Sequence, residues 1–407
     1  MGNQIISARG PKVRVIASPS TWMEGEALRQ LDEASRLEGM VSVVGMPDLH
    51  PGKGSPVGAA FLSEGFIHPL LVGSDIGCGM RLVATDLPVK KARPDKLATL
   101  MEGLDLPWDG DTAAWLAGRG VDPGPHDAGL GSPGFGNHFI EVILPRDVAD
   151  PFAFSAMGLS RDRAALIVHS GSRGLGEAIL REHAAMHGGN PLVAGSAKAE
   201  DYVGRHGHAV RWASANRELC ALRACEAIGA DGSTMLDICH NSVTAATVGG
   251  CSCWLHRKGA APSDMGPVII PGSRGDPSYL VRPVSGRADA LTSLAHGAGR
   301  KIPRQEARGK LSGFMRKEDL RRNPYGGTVV CGDDRLAWEE APACYKDIHS
   351  VVGDLVAAGL AEVVATFVPL VTFKTSAGTA LAARSSRREW QDERRSARSA
   401  KEGRAAR

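Results

Sequence analysis

No stretch of the 407 residues approaches the ~18 consecutive uncharged apolar residues that a membrane span needs. The opening MGNQIISARGPKVRV has no apolar h-region, so a secretory signal is not expected. Eight cysteines in a long chain without such a signal are expected to stay reduced, in the cytoplasm. Several common nucleotide and metal signatures are also missing. The turn GSRGLG at 171–176 lacks the GK[ST] ending of a Walker A loop and the GxGxxG spacing of a dinucleotide fold. His183 and His187 stand four apart, but Ala184 follows the first, so HExxH fails and an ordinary helix surface is expected. Cys251 and Cys253 have no second pair at zinc-site spacing, which points to a buried or idle pair.

What is present begins with an apolar content of 43%, enough for two average domains or one large one. The 50 glycines cluster beside polar residues, a pattern of backbone shaped around ligands. The net charge of +3 is uneven. Of 48 Lys/Arg and 45 Asp/Glu, nine and four fall in 375–407, leaving 39 basic against 41 acidic residues elsewhere. The body is near neutral, and the last 33 residues form a basic tail expected to be disordered.

The stretch VGSDIGCGM, 72–80, sets Asp75 and Cys78 three apart among glycines, a hard oxygen beside a soft sulfur. A thiolate can bridge two cations; the plainer alternative is a tight turn with Cys78 merely buried. Before it, a strand over 40–46 runs into PDLHPGKG, where Asp48, His50 and Lys53 are expected on a loop. After it, Asn137, His138 and Glu141 follow a glycine-rich segment and lead into an apolar strand. AALIVHS, 164–170, is a strand ending at His169, and the turn and helix start beyond it form an anion site to which Arg173 adds a charged fork. His206 and His208, in GRHGH, are read as loop histidines before a helix from 210 to 228. LDICHNSV, 236–243, is read as a short strand holding His240 and Asn241. PGSRG, 271–275, places serine hydroxyls and backbone N–H groups where they can read a nucleotide. His296 stands before Gly-Ala-Gly and three basic residues, which suits a histidine that takes up a nucleotidyl group. An amphipathic helix is expected over 351–366, then a strand to Lys374.

Asp75, Cys78, His138, His169 and His240 are dispersed over more than 160 residues, as in catalytic metal sites built by a whole fold. Mixed O, N and S donors accept Mn, Fe, Co or Zn. Strands and helices alternate too irregularly for a doubly wound sheet, so one large α+β domain, 1–374, is expected, with strands around a central cleft.

MPDLHPGKG, DIGCGM, GNHFIE, HSGSRG, HNSV, HRKGA, PGSRG, HGAGR and YKDI, in that order over about residues 40–374, resemble the RtcB-type RNA ligases. More narrowly they resemble the release factor H-coupled branch of that family. Ser132-Pro133-Gly134-Phe135 departs from it, standing where the family is richer in glycine. The resemblance implies two Mn²⁺ bridged by Cys78, one also held by His138 and His169, the other by Asp75 and His240. It implies that His296 takes GMP from GTP. The guanylate site would comprise Asn137, His138, Glu141, His240, Asn241, Pro271, Gly272, Ser273, Arg274, Ser278, Gly297, Ala298, Gly299, Tyr345 and Lys374. Arg173, Arg300 and Arg304 would lie near the RNA ends. The implied reaction joins a 3′-phosphate or 2′,3′-cyclic phosphate end to a 5′-hydroxyl end. The implied partners are broken RNA and, through the branch, the ribosome and release factor H; the chain is expected to be a monomer. The rivals are a non-catalytic RNA-binding protein and a cyclic phosphodiesterase that never ligates.

Overall fold

The computed structural model describes residues 3–5, 12–376 and 378–379. The expected disordered tail lies outside these from residue 380 onward. Its expected start after Lys374 falls inside the last strand, whose Thr375 is buried and hydrogen-bonded to Asp105 at 2.6 Å.

Alternating apolar residues build the main sheet. In Gly79–Pro88, Phe139–Val148, Arg163–Ser170 and Ala361–Thr375, successive side chains point to opposite faces. Met80, Leu82, Ile143, Ile167 and Phe367 share one core with Val44 and Met46 of a second sheet and with helix Ile348–Ala357. Val83, Val142, Leu166, Val168 and Phe373 share the other with Cys220 and Ala224 of helix Ala197–Ile228. Both faces are therefore covered, which accounts for the nearly continuous apolar runs. In this eight-stranded sheet Ala361–Thr375 lies between Phe139–Val148 and Ser278–Pro283, with Thr328–Cys331 running parallel beside it. The second sheet has six strands, including Met40–His50, Val57–Glu64, Asn241–Val248 and Cys251–Lys258. The mixed α+β fold is as expected.

Several local expectations need correction. His206 and His208 are not in a loop: they lie within helix Ala197–Ile228, which starts well before residue 210. Ser196 caps it, its hydroxyl accepting from Ala199 N–H, and burial of one face outweighs the cost of Gly204 and Gly207. His206 Nε2 accepts from Val243 N–H at 3.0 Å. Residues 236–243 are not one strand. Gly232–Cys239 belongs to the eight-stranded sheet and Asn241–Val248 to the six-stranded one, with His240 at the crossing. Helix Ile348–Ala357 stops short of residue 366, because Gly359 (φ 66°) turns the chain into the strand from Ala361. Met40–His50 carries Asp48 fully buried, instead of ending before it. His183 is buried rather than on a helix surface. None of the eight cysteines is paired, and among the described residues no helix is long and apolar enough to cross a membrane.

The inner face of helix Ala197–Ile228 also carries two buried polar residues, Asn216 and Arg217. Arg217 Nη1 donates to Gly77 O at 2.7 Å and Ser170 O at 2.9 Å, and its Nε donates to Asp237 Oδ1 at 2.6 Å. Arg81 reaches the same carboxylate at 3.1 Å. Burial works to raise the Asp237 pKa, but Arg217 and Arg81 hold it below the usual carboxylate value. A depressed carboxyl stabilises the fold above its unfolded pKa, about 3.9, and that contribution is lost as pH falls through the folded value. Asp237→Asn should therefore cost about 3 kcal/mol at neutral pH by denaturant unfolding, since it strands a buried guanidinium. Its penalty should shrink in acid. A neutral-pH midpoint equal to that of the unsubstituted protein would show that the pair carries no stability.

Candidate metal and nucleotide centre

Register brings the dispersed donors together. Cys78 immediately precedes Gly79–Pro88, His138 immediately precedes Phe139–Val148, and His169 lies at the end of Arg163–Ser170. His169 pairs with Met80 on one side and Phe139 on the other, so the ends of three neighbouring strands coincide. His240 N–H donates to Cys78 O at 2.8 Å, which fixes the fourth element. Asp75 joins from the turn before Cys78. Gly171 lets the chain after His169 pass against it, because a Cβ there would overlap Asp75 Oδ1.

Cys78 Sγ lies 3.1 Å from His169 Nε2 and 3.3 Å from His138 Nε2, and His138 Nε2 lies 3.0 Å from Asp75 Oδ2. Two donor groups result, Cys78–His169–His240 and Asp75–Cys78–His138, with ligand atoms within 4.8 Å in each. Cys78 is common to both, as a bridging sulfur would be. The grouping of the others differs from the one the resemblance implied, because the short Asp75–His138 contact draws those two together.

The electrostatics fit cation binding. Burial, then neighbouring imidazoles, pushes His169 and His240 well below the usual histidine pKa, which leaves neutral rings with free lone pairs. Burial works to raise Asp75, but His138 outweighs it and holds the carboxyl at about 2. Burial and then Asp75 push the Cys78 thiol well up. A divalent cation reverses that cost, since a coordinated thiol loses its proton. His138 Nδ1 is buried without a hydrogen-bond partner.

Beside the donors, a cleft of about 1170 Å³ is lined by Asn137, Glu141, His169, His240, Asn241, residues 271–274, residues 296–300, Arg304, Tyr345 and Lys374. Nearly all the residues expected around a guanylate are thus gathered. His138 and Arg173 lie instead on a shallower depression next to it. Ser278 is not on the cleft wall; it is buried in the strand pair opposite Pro271. Asn241 lines the cleft while its amide holds backbone, donating to Asp75 O at 3.2 Å and accepting from Gly259 N–H at 2.7 Å.

His296 is held from behind. Its Nδ1–H donates to Asp48 Oδ2 at 2.7 Å, and its backbone N–H donates to the same oxygen at 3.2 Å. That bond leaves Nε2 with the lone pair. Lys346 Nζ donates to Pro47 O and Leu49 O on either side of Asp48, at 3.0 and 2.7 Å, and Lys346 N–H donates to Gly299 O at 2.9 Å. Burial brings the Lys346 ammonium down to about 8. The sequence marks Asp48 only as a polar group on a loop, through MPDLH, and gives no sign of this role. Glu340 was missed altogether. It is buried and accepts from Tyr345 OH (2.6 Å), Lys374 Nζ (3.1 Å), Arg300 Nη1 (3.2 Å) and Arg304 Nη1 (2.6 Å). Burial works to raise its pKa, but Lys374, Arg304 and Arg300 hold it at about 2. Glu141 goes the other way: burial lifts it to about 7 against the Thr372 hydrogen bond and Lys374.

A family model described as tRNA-splicing ligase RtcB matches residues 30–110 and 124–375, which include every donor and His296. The chain belongs to the RtcB ligase family. Among its RtcB relatives, RNA-splicing ligase RtcB2 of Escherichia coli is 46% identical over 369 residues, covering 90% of this chain and 96% of the relative. tRNA-splicing ligase RtcB of Thermococcus kodakarensis is 30% identical over 441 residues, covering 85% and 90%. RNA-splicing ligase RtcB of Mycobacterium tuberculosis is 29% identical over 432 residues, covering 84% and 99%.

If one sulfur serves both donor groups of this RtcB chain, Cys78→Ala should lower bound divalent metal at both positions. Metal counting by mass spectrometry after dialysis checks this. Unchanged stoichiometry in that variant would remove the shared-sulfur arrangement.

Proposed function

We propose that the chain is a GTP- and Mn²⁺-dependent RNA ligase that joins RNA 3′-phosphate or 2′,3′-cyclic phosphate ends to 5′-hydroxyl ends through a histidine–GMP intermediate. One observation carries this reading: His296, braced by Asp48, faces the cleft with its ring 4.7 Å from that of His240 in the donor cluster. Neither rival has a use for a braced nucleophile there.

Asp75, Cys78, His138, His169 and His240 would hold two Mn²⁺, which would withdraw charge from phosphate oxygens. His296 Nε2 attacks the α-phosphorus of GTP; the P–N bond forms and the bond to pyrophosphate breaks. Asp48 stabilises the positive charge that develops on the ring. Once the cyclic phosphate is hydrolysed, a 3′-phosphate oxygen displaces His296 and takes the GMP. The 5′-hydroxyl then attacks that 3′-phosphate and GMP leaves. Glu141, Ser273, Tyr345 and Lys374 position the guanylate, and Arg173, Arg300 and Arg304 hold RNA phosphates, which orients the ends without reading sequence.

Within this reading we assign the chain to the release factor H-coupled branch, acting in the cytoplasm as a monomer on damaged ribosomal RNA. The motif resemblance supports that assignment, and repair of tRNA is its alternative. A competition assay between nicked ribosomes and nicked tRNA separates the two, and clear preference for free tRNA would sink the ribosomal assignment.

Incubation with Mn²⁺ and α-labelled GTP, followed by denaturing electrophoresis, should give label that is acid-labile and base-stable, as a phosphoramidate is. His296→Ala should carry none, and label persisting there would remove His296 from the mechanism. Asp48→Asn should slow labelling by at least about 100-fold through loss of ring orientation and charge support. A rate within a few-fold of the unsubstituted enzyme would reduce Asp48 to a structural contact.

A further inference from the structure

The segment before Asn137 places an aromatic ring on the depression beside the donor cluster. Residues 130–134 are buried, yet Phe135 is 39% exposed. The segment that presents it is pinned. Asn216 accepts from Gly131 N–H at 2.7 Å and donates to Ser132 O at 3.2 Å, and Ser170 Oγ donates to Pro133 O at 2.7 Å. Phe135 lines the depression next to the main cleft, of about 380 Å³, together with Asp75, Asn137, His138, Arg173 and Glu177.

Single exposed aromatics are ordinary on protein surfaces. Three further observations distinguish this one. Arg173 carries a left-handed backbone (φ 58°), uncommon away from glycine, and its Nε is buried without a partner. Gly134, at φ 101°, leaves room for that guanidinium, since any side chain there would overlap Arg173 Nη1. On the other side of Phe135, a Cβ at Gly136 would stand 3.7 Å from Arg304 Nη2. Phe135 thus shares its depression with the Arg173 guanidinium and the donors Asp75 and His138, and the glycine that follows it in the chain lies against Arg304. A π-face flanked by cations is the arrangement that binds single-stranded RNA: cations hold phosphates, and the ring stacks on the base.

We infer that Phe135 is a stacking platform for the terminal nucleobase of an RNA end seated in this depression. The inference rests on the RNA-ligase reading and adds to it a base contact that does not depend on base identity, because every base offers a π-face.

RNA strands carrying 2-aminopurine at the 3′-phosphate end in one arm and at the 5′-hydroxyl end in the other test it on the Mn²⁺-loaded full chain. In one of the two arms binding should quench the fluorophore; Phe135→Ala should abolish the quench and Phe135→Trp retain it. Removing the base at that terminal position should weaken binding to the unsubstituted protein roughly tenfold and leave Phe135→Ala affinity unchanged. The abasic comparison on the unsubstituted protein decides the matter even if thermal melting shows the alanine variant unfolded. If the protein ligates but shows no quench in either arm, or is indifferent to the abasic end, or keeps its quench in Phe135→Ala, the stacking role is overturned. If the protein neither takes label from GTP nor ligates, the functional reading fails, and this inference with it.

Discussion

Arg217 is buried to within 1% of its surface, and three of its hydrogen bonds set the geometry of the centre. Two go to the carbonyls of Gly77 and Ser170, the residues adjoining Cys78 and His169. A guanidinium is rigid and planar, so it fixes the separation of two donor turns more closely than apolar packing can. Asp237 balances its charge, and next to it Asn216 ties the loop before His138 to Ser170. One turn of a helix thus joins three of the segments that carry metal donors. The cost of burying a charge is offset because Nε meets the Asp237 carboxylate and Nη1 meets two fixed carbonyls.

On the opposite wall the order is reversed, with a single anion organising several cations. Glu340 holds Lys374, Arg300, Arg304 and Tyr345 around one carboxylate. Three positive groups this close would repel one another strongly in a poorly solvated cleft. The carboxylate lets them coexist while Arg304 stays partly exposed. Glu141, lifted by the same burial but without such an array, sits near neutrality instead.

The candidate metal donors were legible because each stands at a strand end or in a turn, a local pattern that survives without knowledge of the partners. His296, the proposed nucleophile, follows a short strand and precedes Gly297, and was singled out on the same local pattern. Asp48 was visible as a polar residue in a turn-rich stretch, but its partner lies 248 residues away and nothing local links them. Arg217, Asn216 and Glu340 were opaque, because a buried polar side chain is defined by what packs over it. Glycines misled in GRHGH, where tertiary burial carries a helix through them. The crossing at His240 was hidden because consecutive strands of two different sheets read as one apolar run. Fold class was recoverable from irregular alternation; which strands are neighbours was not.

The strand Ala361–Thr375, the last strand among the described residues, is central in its sheet, between Phe139–Val148 and Ser278–Pro283. During synthesis it leaves the ribosome after every other described strand. Until it inserts, the donor-bearing strands and the serine-bearing hairpin are separate edges with open hydrogen-bonding groups. A chain in which it has not yet inserted can therefore present histidines and a thiol but no closed wall beside them. The cleft wall that carries Thr372 and Lys374 closes only when this strand inserts.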